Sequence, residues 1–299
     1  MRRYLLLVPV LLAALVAAST GRSQPAGGPL QVVAAENFWG SIATQLGGDR
    51  VHVTSVITNP ATDPHDYEPS SVDARTIAGA QMVIVNGIGY DPWAPKLIAA
   101  NPVHGRVVLT VGDLVGIKPG GNPHRWYSPT NVQQVIAAIV ADYTKLDPKD
   151  AAYFRSEKAA FETKGLAQYK QLIATIRRKY HGVPVGASES IFAPLAQALG
   201  LDLLTPYSFL KAISEGTEPT AADKTTIDRQ IAKKQIKVWV FNSQNSTPDV
   251  ARFTEAARKK GIPITTITET LAPASATFEQ WQVAQLKELE AALHTATGR

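Results

Sequence analysis

The chain has 299 residues, of which 45% are hydrophobic and none is cysteine, and its formal net charge is +5. The lack of cysteine excludes a disulfide framework and thiolate chemistry. Setting aside Arg2, Arg3 and Arg22 leaves 27 basic against 25 acidic residues, so the composition gives no support to nucleic-acid binding.

The first residues, approximately 1–23, predict a secretory signal peptide. Arg2 and Arg3 precede an apolar run, Tyr4 to Ala18, which ends in small residues and is short for a membrane span. The alternative is an amphipathic or membrane-anchoring helix. Because no cysteine follows the run to carry a lipid anchor, we expect a soluble periplasmic protein.

Residues 30–146 alternate short apolar runs with helical patterns and predict an N-terminal α/β lobe. The predicted strands are Gln31–Ala35, Val51–Ile57, Met82–Asn86 and Arg106–Thr110. The predicted helices are Phe38–Leu46, Ser71–Ala78, Pro92–Ala100 and Asn131–Lys145. No regular element is predicted within 113–130.

A long helical pattern follows and predicts a linking helix over 147–181. Asp147 and Pro148 supply a capping side chain and a first-turn proline, and Gly182 supplies a stop signal. At about 1.5 Å per residue this stretch would span roughly 45–50 Å. We expect a rigid strut between two lobes, with Gly165 as a possible kink.

Residues 182–299 repeat the first pattern and predict a C-terminal α/β lobe. The predicted strands are 183–187, 201–204, 237–241 and 263–266, and the predicted helices are 191–199, 220–234, 248–260 and 278–295. Alternating strands and helices indicate parallel sheets with helices on both faces. Ligands of such sheets bind beyond the carboxyl ends of the strands.

Four metal-ligating side chains follow predicted strand ends. They are His65 and His124 in the first half and Glu189 and Glu269 in the second. Imidazole and carboxylate together suit zinc, manganese or iron. The alternatives are a surface role for each histidine, a helix-dipole role for Glu189 and a solvated loop position for Glu269.

Three further polar residues lie at strand ends, where they would support such a site through hydrogen bonds to its ligands. They are Glu36, Asn86 and Asn242. The alternative is that these side chains cap helices or close turns.

Several motifs resemble the metal-binding substrate-binding proteins of bacterial zinc and manganese ABC importers, the cluster A-I type of periplasmic solute-binding protein. They lie in unbroken order from about residue 31 to 297, and the two Pro-His segments are the most specific. The segments are Ala34–Ala43, Thr54–Pro60, Asp63–Pro69, Val85–Trp93, Asn122–Tyr127 and Val240–Gln244.

The resemblance implies an α/β fold of two lobes, each with a parallel sheet flanked by helices, joined by one long rigid helix. It implies one metal ion between the lobes, delivery to a membrane permease, and no catalysis. His65 and His124 match the two first-lobe ligands of the family, and Glu189 falls where members have histidine or glutamate. Glu269 falls where many members have aspartate, which leaves direct ligation or an intervening water open.

We therefore expect a monomeric carrier for Zn²⁺, or next for Mn²⁺, that binds no nucleic acid. Binding should weaken as pH falls through about 6.5, because both imidazoles must lose their protons to ligate. Two rival interpretations remain. One is an exported zinc hydrolase with Glu269 as general base, and the other is a receptor for an organic ligand.

Overall fold

The computed structural model describes residues 28–62, 64, 65 and 67–299. The predicted signal peptide, residues 1–23, lies outside them, as do Asp63 and Asp66 on either side of the Pro64-His65 pair. In the described part of the chain, no helix has the length and apolarity that crossing a bilayer requires.

The N-terminal lobe is a four-stranded parallel sheet in the order β2-β1-β3-β4. Its strands are β1 (Leu30–Glu36), β2 (Val51–Ile57), β3 (Met82–Val85) and β4 (Val107–Thr110). Its helices are α1 (Asn37–Gly47), α2 (Ser71–Ala78), α3 (Trp93–Ala100), α4 (Val111–Leu114) and α5 (Pro129–Leu146). The central strands β1 and β3 are almost wholly buried because helices cover both faces of the sheet.

The segment that connects the lobes is helical over most of its length. A 3₁₀ turn (Pro148–Asp150) leads into α6 (Ala151–Ala160), a π-helical turn (Phe161–Gly165) and α7 (Ala167–Tyr180). The Leu166 N–H donates to the Phe161 carbonyl over 2.8 Å, which widens the helix at that point. Gly165 gives room for this turn, because a Cβ there would lie 2.8 Å from the Phe161 ring.

The C-terminal lobe repeats the first arrangement, with a parallel sheet in the order β6-β5-β7-β8. Its strands are β5 (Pro184–Ala187), β6 (Asp202–Leu203), β7 (Val238–Asn242) and β8 (Ile264–Ile267). Its helices are α8 (Ala193–Leu199), α9 (Tyr207–Ser214), α10 (Ala221–Ala232), α11 (Pro248–Lys259) and α12 (Phe278–Thr297). The fold class predicted from the sequence, two parallel α/β lobes flanked by helices, is therefore present.

Four short helical elements were not predicted: α4, α9 and the 3₁₀ turns Gly48–Arg50 and Arg125–Tyr127. In α9 only Phe209, Leu210 and Ile213 carry the buried apolar face. One such turn of apolar spacing is too short to stand out in a sequence, since the helical signal needs a window of about 11–18 residues.

One apolar core runs through both lobes. It joins Trp39 of α1, Phe154 of α6, Tyr169 of α7 and Trp281 of α12, among other buried residues. A smaller core fills the opposite face of the first sheet. Polar contacts also cross between α1 and the segment leading into α12, where the Phe278 N–H donates to Ser41 Oγ over 2.8 Å. The lobes are thus packed together on one side, and the carboxyl ends of their strands face a common cleft.

Candidate metal centre

Glu189 lies two residues beyond the end of β5, and Asn242 is the last residue of the neighbouring strand β7. The Asn242 side-chain amide donates to Glu189 Oε2 over 2.7 Å and to Glu269 Oε1 over 2.8 Å. Both hydrogens of one NH₂ group therefore hold the two carboxylates together. The backbone N–H of Asn242 donates to Ser188 Oγ, which joins the end of β7 to the residue that follows β5.

Glu269 lies two residues beyond β8, the edge strand of the same sheet. Its backbone N–H donates to Gln244 Oε1 over 2.7 Å, and Gln244 also accepts from the Thr270 N–H. From the N-terminal lobe, the Tyr90 hydroxyl donates to Glu269 Oε2 over 3.0 Å. Glu269 is therefore oriented from both lobes.

His124 enters the cleft from the long segment that follows β4 and α4. Its imidazole is fully buried beside the Trp126 and Tyr90 rings. Asn122 Oδ1 accepts from the His124 backbone N–H over 3.0 Å and lies 2.9 Å from the ring Nδ1. In the described part of the chain, His124 Nε2 has no hydrogen-bond partner. It points at the carboxylates.

His124, Glu189 and Glu269 form one buried group, with a ligand atom of each within 4.8 Å of the others. His124 Nε2 lies 3.7 Å from Glu189 Oε1 and 3.5 Å from Glu269 Oε2. Two ligands about 2.1 Å from a tetrahedral zinc ion are separated by roughly 3.4 Å. The spacing therefore fits nitrogen and oxygen atoms that surround one metal ion.

Burial controls the protonation of this group. Desolvation, with the negative charge of Glu269 added, raises the pKa of Glu189 from 4.5 to about 8. Desolvation lowers the pKa of His124 from 6.5 to about 4, against the opposing pull of Glu189. The imidazole is therefore neutral at pH 7 and offers a lone pair, while Glu189 keeps a proton until a cation replaces it.

His65, the fourth predicted ligand, lies outside this three-residue group. Its partly buried ring packs edge-on against Tyr90, with ring centroids 4.8 Å apart. It also lines a cavity of about 190 Å³ at the mouth of the cleft, together with Asn122, Ser190 and Tyr207. The structure thus places His65 next to the centre, where the Tyr90 ring contacts both His65 and His124.

The three predicted supporting residues differ from one another. Asn242 contacts both carboxylates, whereas Asn86 holds the His124 segment by donating to the Pro123 carbonyl over 3.0 Å. Glu36 is fully buried and its pKa is raised well above 4.5 by desolvation and by the nearby Asp91 carboxylate. Among the described residues, neither Glu36 oxygen has a hydrogen bond to a proposed ligand.

Sequence reasoning overlooked Tyr90, Asn122 and Gln244, each of which touches a proposed ligand. Asn122 and Tyr90 lie within the segments 122–127 and 85–93 that carry the family resemblance. Nothing in the local sequence indicates that their polar atoms face His124 and Glu269, because those contacts depend on how the loops fold back.

Comparison with known proteins gives a consistent result. Residues 32–292 match the family described as zinc-uptake complex component A, periplasmic (ZnuA). The metal ABC transporter substrate-binding lipoprotein FimA of Streptococcus parasanguinis is 26% identical over 279 residues, covering 87% of this chain and 86% of that protein. The manganese ABC transporter substrate-binding lipoprotein PsaA of Streptococcus pneumoniae is 25% identical over 280 residues, with 87% and 86% covered.

The fold is shared with solved structures. The Cd-bound periplasmic metal binding protein from Candidatus Liberibacter asiaticus superposes with a TM-score of 0.71 at 22% identity, over 88% of this chain and 98% of that one. The crystal structure of ZnuA gives a TM-score of 0.71 at 20% identity, over 88% and 99%. These matches confirm the predicted fold class. With the family match over residues 32–292, they also confirm the predicted resemblance: the chain belongs to the periplasmic zinc-uptake component A family.

Proposed function

We propose that this protein captures one divalent transition-metal ion in the cleft and delivers it to the permease of an ABC importer. One observation carries the proposal. Nε2 of the neutral His124 imidazole, which has no hydrogen-bond partner among the described residues, faces two buried carboxylates at the spacing of metal ligands. Such a group is electrostatically costly unless a proton or a cation lies within it.

The ligand set favours a carrier over an enzyme. With neutral His124, the two negative carboxylates would balance the charge of a bound divalent ion. The ligands come from both lobes. A catalytic zinc keeps one position open for water. If His65 fills the fourth position, none stays open for an activated water, and the family match supports transport rather than hydrolysis.

The cavity that adjoins Asn122 and Ser190 is small for an organic ligand, although His65 also lines neighbouring cavities of about 280 Å³ and 410 Å³. The cavity at the mouth of the cleft measures about 190 Å³, whereas pockets for small organic molecules occupy about 300–1,000 Å³. The cavity suits the passage of a partly hydrated ion.

We propose His65 as the fourth ligand, recruited when the metal arrives. Its ring rests on Tyr90, whose hydroxyl donates a hydrogen bond to Glu269, and a movement of its loop would bring the imidazole to the metal. His124→Ala should abolish stable binding. His65→Ala should weaken it less and speed metal release. The exposed His52→Ala is the control and should bind as the wild type does. Equal affinity of the wild type and both site variants, measured by titration, would remove these ligands from the proposal.

Zinc is the metal we propose, with manganese next. Two nitrogen and two oxygen ligands discriminate weakly by softness, so the Irving–Williams order favours Zn²⁺. Relatives differ in this respect, since some carry manganese in their names and a Yersinia pestis relative, 29% identical over 170 residues, is an iron-binding protein. Competition calorimetry on chelator-stripped protein should show zinc displacing manganese. Manganese holding its place against equimolar zinc would assign the preference to cavity geometry instead.

The first experiment is the metal content of protein purified without chelator. About one zinc or manganese ion per chain supports the proposal, and metal-free protein that also fails to bind either ion on titration contradicts it. We further propose that the carrier works outside the cytoplasm as a monomer.

A further inference from the structure

Asn122 links the two halves of the centre, as Tyr90 also does through Glu269. It lies two positions before His124, in the N-terminal lobe, and its side-chain amide contacts both lobes. Its Oδ1 accepts from the His124 backbone N–H over 3.0 Å. Its Nδ2 donates to the carbonyl of Ser190, the residue after Glu189, over 2.7 Å.

These two contacts fix the orientation of the amide. A backbone N–H can only donate and a carbonyl can only accept, so Oδ1 faces His124 and Nδ2 faces Ser190. Oδ1 also lies 2.9 Å from His124 Nδ1. Because an amide oxygen cannot donate, Nδ1 must carry the proton. The unprotonated nitrogen is then Nε2, which faces the carboxylates.

A second acceptor reaches the same ring nitrogen from the other lobe. Ser190 Oγ lies 3.5 Å from His124 Nδ1, while its own hydroxyl donates to Ser214 Oγ over 3.0 Å. At 3.5 Å this contact is marginal as a hydrogen bond. Asn122 therefore supplies the main restraint on the ring.

We propose that Asn122 is a positioning residue that acts as a latch between the lobes. Its amide oxygen holds His124 in the tautomer that leaves Nε2 free to bind metal, and its amide nitrogen holds the His124 segment against the Ser190 carbonyl beside Glu189. The latch rests on the proposed function, because the Asn122 amide can help to retain a metal ion only if the cleft binds one. It adds that release of the metal requires this bond between the lobes to break, which frees the ring at the same moment.

Two substitutions separate the two roles. Asn122→Asp keeps an acceptor for the ring N–H but places a carboxylate oxygen against the Ser190 carbonyl. Asn122→Ala removes both contacts. The matched control is Gln45→Ala, which deletes another hydrogen bond between the lobes, from Gln45 Nε2 to Glu279 Oε2 over 2.9 Å, away from the centre.

The tautomer is read from ¹⁵N shifts of the His124 ring in metal-free protein, and retention from the rate at which a chelator removes zinc. Asn122→Ala should show mixed tautomers and bind zinc about 10–100-fold more weakly, as loss of a ligand's hydrogen-bond partner typically does. Asn122→Asp should keep the Nδ1–H tautomer yet release zinc faster than the wild type. Gln45→Ala should match the wild type in both.

Wild-type tautomer and release rate in Asn122→Ala would overturn the latch, as would faster release from Asn122→Asp and Gln45→Ala alike. Melting curves of each variant verify folding. Failure of the wild type to bind zinc would contradict the proposed function instead. The tautomer measurement needs no metal, so it would still decide whether Asn122 determines the tautomer of the His124 ring.

Discussion

The two lobes share one sheet order, yet they present their proposed ligands differently. In the C-terminal lobe, Glu189 and Glu269 each follow a strand by two residues. In the N-terminal lobe, His65 lies eight residues beyond β2 and His124 fourteen beyond β4. A ligand that follows its strand by two residues is held in place by the rigid sheet. A ligand on a longer loop needs additional contacts to hold it in place.

The strand ends themselves show the same contrast. Asn242 of β7 donates both of its side-chain amide hydrogens to the carboxylates of Glu189 and Glu269. Its counterpart Asn86, just beyond β3, instead accepts from the Trp39 indole N–H and holds the Pro123 carbonyl. Asp91 accepts the Asn86 and Gly87 N–H groups. One lobe therefore offers a preformed pair of oxygens, and the other uses its strand ends to brace the loops that carry nitrogens.

Within the C-terminal lobe, the largest expected effect is loss of a preformed carboxylate. Glu189→Ala should weaken zinc binding by about 100- to 3,000-fold, since removing one partner from a buried charged group costs about 3–5 kcal/mol. Glu215→Ala is the control, a carboxylate at the mouth of the same cleft paired with Lys211 near the surface. Calorimetric titration of both variants gives the comparison. Equal losses would mean that general negative charge in the cleft, not ligation by Glu189, holds the metal.

A second test sets the two strand-end asparagines against each other. Asn242→Ala should lower zinc affinity by about 10–100-fold because the carboxylates lose their shared donor. Asn86→Ala should act mainly on folding, with about 1–3 kcal/mol of stability lost as the buried Trp39 indole loses its acceptor. Urea denaturation of the metal-free variants and zinc titration measure the two effects. The reverse pattern would refute the division of labour between the lobes.

The pH dependence of binding should follow Glu189 rather than the His124 imidazole. The pKa of Glu189 is about 8 and that of His124 about 4, so at pH 7 the metal displaces a proton from the carboxyl. Affinity should rise with pH up to about 8, by at most about tenfold per pH unit, and then level off. Calorimetry in buffers of different ionisation enthalpy should show proton release at pH 7. Identical heats in all buffers would contradict this.

The same shift acts with the opposite sign on the metal-free fold. The folded-state pKa of Glu189 lies above its ordinary 4.5, so its contribution to stability is complete below pH 4.5 and is lost as pH rises through about 8. The melting temperature of the metal-free protein should fall over this range. Glu189→Gln, which cannot ionise, should flatten that slope.

The smallest expected effect is on overall shape. The helical connection from Pro148 to Tyr180 and the shared core resist bending, so loading should move the cleft loops and leave the lobes in place. Small-angle scattering should give radii of gyration for metal-free and loaded protein within about 1 Å, as for other pre-organised binding sites. A marked compaction on loading would show that the connection works as a hinge.

The sequence predicted those parts of the centre that depend on strand ends alone. Glu189, Glu269 and Asn242 follow parallel strands, whose carboxyl ends must meet at one edge, so their proximity follows from topology. The position of His65 could not be predicted, because its loop contains Pro60, Pro64 and Pro69 and packs on Tyr90, which lies elsewhere in the chain. Glu36 also lies at a strand end, but its raised pKa comes first from burial and then from the Asp91 carboxylate, which a later loop contributes.

The core that runs through both lobes has a consequence for unloading. Separating the lobes would expose core side chains of α1, α7 and α12 to water, which costs about 25 cal/mol for each Å² of apolar surface. Unloading by separation of the two lobes is thus unfavourable. We therefore expect a permease to act at the rim of the cleft, on the loops that carry His65 and His124, while Glu189 and Glu269 stay in place on their sheet. The cargo would then leave from the nitrogen side first.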